Sequence, residues 1–335
     1  MIRIGILSPS EIAKRRFLPA LTQLKEFKFV GLAYANQEEW TGSNEEIIEK
    51  EREKSRSIVE SYGAKLFDSY VKLIKSDEID AVYIPLPPAL HYYWAKEALL
   101  AGKHVLVEKP ATISSSQTQE LIHIAKTKKL ALHENYMFIY HEQIKTINEI
   151  VESGKIGDLR LLRLTFGFPR REANDFRYNK NLGGGALLDC GGYPLRYASE
   201  LLGATTKLVY ANSNYIKDFE VDIFGSAVLV NEDNKTAQIA FGMDNSYKCD
   251  VEIWGSKGSI FTGRIFTAPT GFVPEATLKI GNEEKTIKLP SDDTFKKSIQ
   301  TFYQCIEDED TREINYSKII QQAKLIQSFM DKANI

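Results

Sequence analysis

Across the first 135 residues, short apolar runs alternate with helix-length stretches, and this alternation constrains the fold more than any other feature. Residues 2–7 read as a buried strand, Ser8-Pro9-Ser10 as a turn, and Glu11 to Leu24 as a helix. A second strand spans Phe29 to Tyr34. Ser43 or Asn44 caps a helix that runs to Tyr62, with a solvated charged face and with Ile47, Ile48, Ile58 and Val59 turned inward. A strand at 80–84, a helix at 92–101, a strand from His104 to Val107 and a helix from Ser116 to Lys128 complete the series. Strands separated by helices pair in parallel, because each crossover must return the chain to the same end of the sheet.

The pattern changes after Tyr136. A helix near 143–153 and an alternating run at 160–168 lead into a glycine-rich patch and helix at 183–202. Strand-like runs follow at 207–215, 223–230, 236–243, 248–253 and 277–289, then helices at 294–306 and 317–332. Strands without intervening helices predict a mostly antiparallel sheet. The expected architecture is therefore an α/β domain built on a parallel sheet over 1–135, followed by an α+β domain over 136–335 with a mostly antiparallel sheet.

A strand, a tight turn and a helix N-terminus form a ready phosphate site, because backbone N–H groups and the helix dipole both favour an anion. The G-x-G-x-x-G/A pattern usual at such a site reads Ser8, Ser10 and Ala13 here. Serine is small and can donate to phosphate, but it does not adopt positive φ as readily as glycine. The segment alone is thus equally compatible with a turn that binds nothing. Where the second strand ends, an acidic residue would suit a ribose 2′-hydroxyl and an arginine a 2′-phosphate. Tyr34-Ala35-Asn36 is neither, which leaves NAD and NADP both open.

Composition removes other classes. Lys+Arg 43 against Asp+Glu 45 gives net charge -2, so no basic field points to nucleic acid or a lipid surface. No apolar stretch approaches the length of a membrane helix. Cys190, Cys249 and Cys305 are odd in number and widely spaced, which fits a reducing cytoplasm and neither a disulfide framework nor a metal motif. His133 and His141 lack acidic or cysteine partners in sequence, and no metal is expected.

Residues 80–112 narrow the class. Asp80-Ala-Val-Tyr-Ile-Pro-Leu-Pro-Pro-Ala-Leu-His91, followed by Ala101-Gly-Lys-His-Val-Leu-Val-Glu108-Lys109-Pro110, resembles the glucose–fructose oxidoreductase/inositol dehydrogenase (Gfo/Idh/MocA) family. A second motif, Leu182-Gly-Gly-Gly-Ala-Leu-Leu-Asp189-Cys-Gly-Gly-Tyr193, supports the resemblance, which runs over nearly the whole chain. Val251 to Ile260 and Gly263 to Pro269 look like the nucleotide-deoxysugar 3-ketoreductases of that family, although dihydrodiol and xylose dehydrogenases share much of this stretch. The sequence departs from the family pattern at Pro88, where Asn is frequent, and at Tyr193, where many members carry His. It is also longer between the second strand and Tyr62.

The resemblance implies an α/β Rossmann domain followed by an α+β domain with a large, open-faced, mostly antiparallel sheet, and hydride transfer between a nicotinamide cofactor, NAD or NADP, and a sugar or nucleotide-sugar ketone or alcohol. The expected cofactor contacts are Ser8, Ser10, Glu11, Ile12, Ala13, Tyr34, Asn36, Pro85, Leu86, Pro87, His91, Glu108 and Lys109. Reducing a ketone creates an alkoxide that needs a proton. Tyr193 is the expected donor, with Lys109 holding the substrate oxygen and favouring the phenolate; the reverse assignment stays open. Asp189, four residues before Tyr193, shares a helix face with it and either binds a sugar hydroxyl, assists the proton relay or caps a helix. His91 either caps the next helix or touches nicotinamide. Arg177 either grips a substrate phosphate or hydroxyl or is an exposed loop arginine, and Tyr136 either contacts substrate or packs the domain junction. A homodimer or homotetramer through the second-domain sheet is expected. The competing readings are a dehydrogenase of free sugars, inositols or dihydrodiols, and a dinucleotide-binding sensor or assembly protein that has lost catalysis.

Overall fold

β1 (Ile2–Leu7) is apolar apart from Arg3, and its last four residues are buried, as a central parallel strand requires. The computed structural model describes residues 1–40 and 42–334. After β1 a π-helical turn, Ala13–Phe17, continues into α1 (Leu18–Leu21). β2 (Phe27–Ala33), α2 (Glu45–Tyr62), β3 (Lys65–Phe67), α3 (Tyr70–Ile74), β4 (Ala81–Ile84), α4 (Pro88–Leu100), β5 (His104–Val107), α5 (Ser115–Lys128) and β6 (Leu132–Glu134) follow. The six strands form an all-parallel sheet in the order β3-β2-β1-β4-β5-β6, the doubly wound arrangement expected from the alternation. Its strand order reverses between β1 and β4, so Ser8 and Pro85 stand at the carboxyl ends that border the switch point, where such sheets bind ligands.

Asn44 caps α2 through its side chain, which accepts from Ile47 N at 2.9 Å. Only the distal half of this helix is inward: Ser55, Ile58 and Val59 are buried, whereas Ile47 is exposed, contrary to the expected apolar stripe. The run of i,i+3 and i,i+4 charge pairs (Lys50–Glu46, Arg52–Glu49, Lys54–Glu51) carries the first half as a solvated helix.

The second half contains α6 (Glu142–Glu152), β7 (Leu159–Gly167), a π-helical turn Leu187–Gly191, α7 (Gly192–Leu202), β8 (Lys207–Asn214), β9 (Phe224–Val230), β10 (Thr236–Gly242), β11 (Lys248–Gly255), β12 (Gly258–Gly263), β13 (Glu275–Ile280), β14 (Glu283–Lys288), α8 (Thr294–Glu307) and α9 (Glu309–Ala333). Eight strands pair in the order β14-β13-β12-β11-β7-β10-β9-β8, antiparallel everywhere except β7 with β10. The run at 277–289 is a hairpin of two strands turning at Gly281, which has φ +58°, and 258–263 is a further strand. One face of this sheet packs Leu164, Phe166, Ile239 and Phe241 beneath α7; the other carries Trp254 and Phe261 at 53% and 47% exposure.

Two compact units emerge: residues 1–135 with 295–320, and residues 136–294 with 321–335. One division falls after residue 135, and the chain returns to the first unit through α8 and the start of α9. Tyr316 and Ile319 complete the first unit's apolar core, and Asn315 donates to Leu132 O at 2.8 Å. The amphipathic pattern of 294–306 reports a buried face without saying which core receives it.

Candidate active site

At the end of β1, Ser8 adopts φ 80°, the left-handed conformation that glycine ordinarily supplies. Its N–H donates to Ala33 O at 2.8 Å, continuing the β1–β2 ladder, and its hydroxyl faces the Tyr70 phenol. Burial raises the Tyr70 pKa, and the contact with Ser8 opposes that rise. The glycine-type turn is therefore kept without a glycine. Ser10 Oγ accepts from Ala13 N at 3.2 Å and caps the helix start, which leaves its own O–H able to donate. Glu11 is exposed, Ile12 half-buried and Ala13 enclosed. The loop thus presents a compact backbone surface, and its geometry fits a pyrophosphate.

Tyr34 is buried, with its N–H donated to Phe67 O at 3.2 Å. Asn36 Oδ1 accepts from the N–H groups of Glu38 and Glu39 at 3.0 and 2.9 Å, making a turn after β2. Glu39, not singled out by the sequence pattern, accepts from Ser69 Oγ, Tyr70 N and Val71 N at 2.6, 3.0 and 2.9 Å. The nearest carboxylate after β2 with this many donors therefore caps α3. The three-residue offset from Asn36 hid it, because its partners lie some thirty positions away.

At the end of β4, Pro85 is enclosed and Leu86 and Pro87 are half-buried. Pro88 occupies the first position of α4, where a missing N–H costs nothing, and this accounts for the departure from Asn. His91 is fully buried. Its Nδ1 lies 2.8 Å from Pro110 O and its Nε2 2.6 Å from Leu86 O. Burial lowers its pKa to about 4, so the ring is neutral and only one nitrogen donates at a time. His91 is therefore neither a helix cap nor an exposed cofactor contact. It ties the β4 loop to the loop that follows Glu108-Lys109.

Glu108 sits at the end of β5. Burial raises its pKa, while Tyr83 Oη and Asn135 Nδ2 donate to Oε1 at 2.7 and 2.6 Å and oppose the rise. The pairing Val107↔Glu134 places Asn135 opposite Glu108. Ser298 Oγ donates to Asn135 Oδ1 at 2.7 Å and lies 3.0 Å from His133 Nε2. Glu134 Oε1 accepts from Ala111 N at 2.8 Å and pins the strand-end loop; the Lys109–Pro110 peptide within it is cis. Sequence reasoning found Glu108 and Lys109 but missed Tyr83, Glu134, Asn135 and Ser298; the parallel register brings the first three, and α8 brings Ser298.

In the second unit, Tyr193 stands in the first turn of α7 and is 7% exposed. Four rings surround it: Tyr136, Phe138, Phe166 and Phe266, at centroid distances of 5.4, 5.5, 5.1 and 6.0 Å. Gly192 permits this nest, since a Cβ there would lie 2.0 Å from Tyr136 Oη. Tyr136 is itself 2% exposed and packs edge-on against Tyr193. The Asp189 segment is π-helical, and its wider turn still leaves Asp189 and Tyr193 about one turn apart.

Arg177 is not an exposed loop arginine. Its Nε donates to Asp189 Oδ2 at 2.8 Å and its Nη1 to Asp175 Oδ1 at 3.0 Å. Burial opposes its charge, but the two carboxylates outweigh that effect and raise its pKa. An arginine held by two carboxylates is a poor anion grip and a good brace for Asp189. Gly185, at φ 119°, donates its N–H to Arg177 O at 2.9 Å, and a Cβ there would meet Asp222 Oδ1 at 2.2 Å. Asp222 accepts from Leu187 N at 2.8 Å and so caps the helix that carries Asp189 and Tyr193. Burial pushes its pKa up to about 6, against the lowering effect of the Leu187 N–H.

Among the described residues, no group of three or more His, Cys, Asp or Glu side chains converges as a metal site, and no helix is long and apolar enough to cross a membrane.

A doubly wound sheet with a glycine-type turn at its switch point, joined to a sheet unit bearing an enclosed tyrosine, defines an oxidoreductase of the nicotinamide-dependent class. The oxidoreductase family model with an NAD-binding Rossmann fold matches residues 13–136, and the GFO/IDH/MocA C-terminal domain matches residues 144–261. The chain belongs to the Gfo/Idh/MocA family, and it moves a hydride between a nicotinamide cofactor and a sugar or nucleotide-sugar ketone or alcohol. A dTDP-3,4-didehydro-2,6-dideoxy-alpha-D-glucose 3-reductase of Actinomadura kijaniata is 35% identical over 305 residues, covering 91% of this chain and 87% of that protein. The corresponding enzyme of Streptomyces violaceoruber is 34% identical over 345 residues, covering 100% and 96%. The crystal structure of KijD10, a 3-ketoreductase from Actinomadura kijaniata with NADP and TDP-benzene, aligns at TM-score 0.91 and 33% identity, covering 99% and 97%. KijD10 has also been solved with one lysine changed to Glu or Ala and with one tyrosine changed to Phe. Those two positions are separated by the same interval as Lys109 and Tyr193.

Proposed function

We propose that this protein is an NADP-dependent reductase of the 3-keto group of a thymidine-diphosphate deoxysugar. The observation that carries this reading is the match in interval between Lys109 and Tyr193 and the lysine and tyrosine varied in KijD10, within an alignment that spans both chains. The first unit binds the dinucleotide and the second the sugar. Ser8, Ser10 and the turn from Glu11 to Ala13 hold the pyrophosphate; Pro85, Leu86, Pro87 and Glu108 border the nicotinamide end, with His91 fixing their loops. NADP is favoured over NAD by the KijD10 complexes.

When bound, the reduced nicotinamide supplies the hydride to the carbonyl carbon. Tyr193 gives its phenolic proton to the oxygen as the C=O double bond becomes C–O, and the phenolate recovers a proton from solvent afterwards. The four rings around Tyr193 keep water from competing for that proton. Lys109 stabilises the negative charge that develops on reduction. Asp189, braced by Arg177, accepts from a sugar hydroxyl.

The exposed sheet face bearing Trp254 and Phe261 joins two copies as a homodimer or homotetramer, and three buried free cysteines suit a cytoplasmic setting. The test of the substrate reading is a rate comparison with NADPH and NADH on the dTDP-3-keto-deoxysugar, free keto-sugars and inosose. Turnover confined to the nucleotide sugar with NADPH is expected. Equal or faster turnover of a free sugar overturns it and favours the dehydrogenase alternative. Binding without turnover of any of these favours the sensor alternative.

A further inference from the structure

The second sheet gathers several loops at one end. Gly167 pairs with Gly242 and Lys248, and Asp250 pairs with Gly263. The chain thus leaves β7 through Phe168–Arg171, enters β11 through Asp244–Tyr247, and leaves β12 through Arg264–Thr267, all at this end. Two ring contacts link these loops to Tyr193. Phe166 touches Tyr193 at 5.1 Å and Phe168 at 6.0 Å, and Phe266, two residues beyond Arg264, touches Tyr193 at 6.0 Å.

Two of these loops each carry a guanidinium seated on an aromatic ring. Arg171 lies over the Phe168 ring at 5.1 Å, and its N–H donates to Tyr178 Oη at 2.9 Å. Arg264 lies over the rings of Tyr247 and Phe272 at 5.3 and 6.0 Å, and Tyr247 is held in place by Thr267 at 2.7 Å. Arg264 also adopts φ 51°, a left-handed conformation that costs a non-glycine residue about 1 kcal/mol. Both arginines are exposed, and among the described residues neither has a carboxylate within ion-pair distance. Arg170 differs: it is paired with Asp244 at 3.0 Å. A guanidinium seated on a ring face has lost much of its freedom yet keeps its planar fork of donors, which suits a phosphate.

We propose that Arg171 and Arg264 form the subsite for the pyrophosphate of a nucleoside-diphosphate sugar. This rests on the substrate reading given above. In such a substrate only C2 separates the reacting C3 from the C1 that carries the phosphates. With C3 against the enclosed Tyr193 phenol, the phosphates face outward, toward the loops where these cations stand. A free sugar offers them nothing to bind, so the pair also sets specificity.

The test is calorimetric titration of the full-length protein, loaded with NADP, with dTDP and with thymidine as the phosphate-free comparison. Wild type is expected to bind dTDP at least about tenfold more tightly than thymidine, with affinity falling as salt rises. Arg171→Ala and Arg264→Ala are each expected to lose much of that advantage, and the double variant to bind both ligands alike, with NADP affinity unchanged as the check on folding. Variants that bind dTDP as wild type does overturn this inference alone, leaving the substrate reading intact. An equal loss of thymidine binding overturns it as well, since the arginines would then serve the nucleoside or the fold. A wild type that binds no dTDP overturns the substrate reading, and the subsite with it.

Discussion

Arg177 Nε donates to Asp189 Oδ2 at 2.8 Å, while the same guanidinium donates to Asp175 Oδ1 at 3.0 Å. With side-chain exposures of only 21% and 12%, Arg177 and Asp189 form a partly enclosed pair. Arg177→Met removes the brace and leaves two carboxylates facing each other. Stability is expected to fall by about 2 kcal/mol, and kcat/KM by at least about tenfold as Asp189 loses its position. Urea denaturation and steady-state kinetics check this. Full activity in Arg177→Met would show that Asp189 needs no partner.

Asp222 gives a pH signature. Its folded-state pKa is raised to about 6 from the ordinary 3.8, so the native chain binds more protons than the unfolded chain between these values. Its contribution to stability is fully present below about pH 4 and is lost as the pH rises through about 6. Asp222→Asn keeps an acceptor for Leu187 N but cannot titrate. The stability of wild type minus that of Asp222→Asn is expected to fall by about 3 kcal/mol from pH 4 to pH 7, read from urea midpoints. A difference that is flat with pH contradicts the assignment.

Glu108 offers a second. Burial raises its pKa and the Tyr83 hydroxyl holds that rise in check. Tyr83→Phe keeps the stacking with Phe17 at 3.8 Å but removes the donor. The Glu108 pKa is expected to climb further, so the acid limb of the kcat/KM profile should move to higher pH. An unmoved limb would detach Glu108 from the profile.

Ser8 tests the cofactor turn. Ser8→Gly relieves a left-handed residue by about 1 kcal/mol but removes the hydroxyl facing Tyr70, so thermal stability should change little and NADPH affinity should be kept. Ser8→Val places a branched side chain at φ 80° and should lower both. Equal behaviour of the two variants would mean that the turn's backbone does not matter to binding.

Much of this was legible in the sequence for identifiable reasons. The β1 strand and the parallel sheet followed from alternation, and the Glu108-Lys109-Pro110 strand end and the Asp189/Tyr193 helix from local motifs. Degeneracy at Ser8 misled at the level of residue type, because positive φ is a preference that a well-placed contact can override. Partners supplied by distant elements were invisible: Ser298 reaches Asn135 across 163 positions and Asp222 reaches Leu187 across 35. Arg177 was ambiguous because its two carboxylates sit at no helical spacing from it. The return of α8 to the first unit was hidden because an amphipathic face does not name the core it joins.

The most direct test of the account is the fate of a label: NADPH carrying deuterium at the transferred position is mixed with the dTDP-3-keto-deoxysugar and the wild-type enzyme, and the product sugar is read by mass and NMR. Deuterium at C3, with its appearance slowed severely in Tyr193→Phe, is the expected result. An unlabelled sugar, or label transferred as fast by Tyr193→Phe as by wild type, would contradict it.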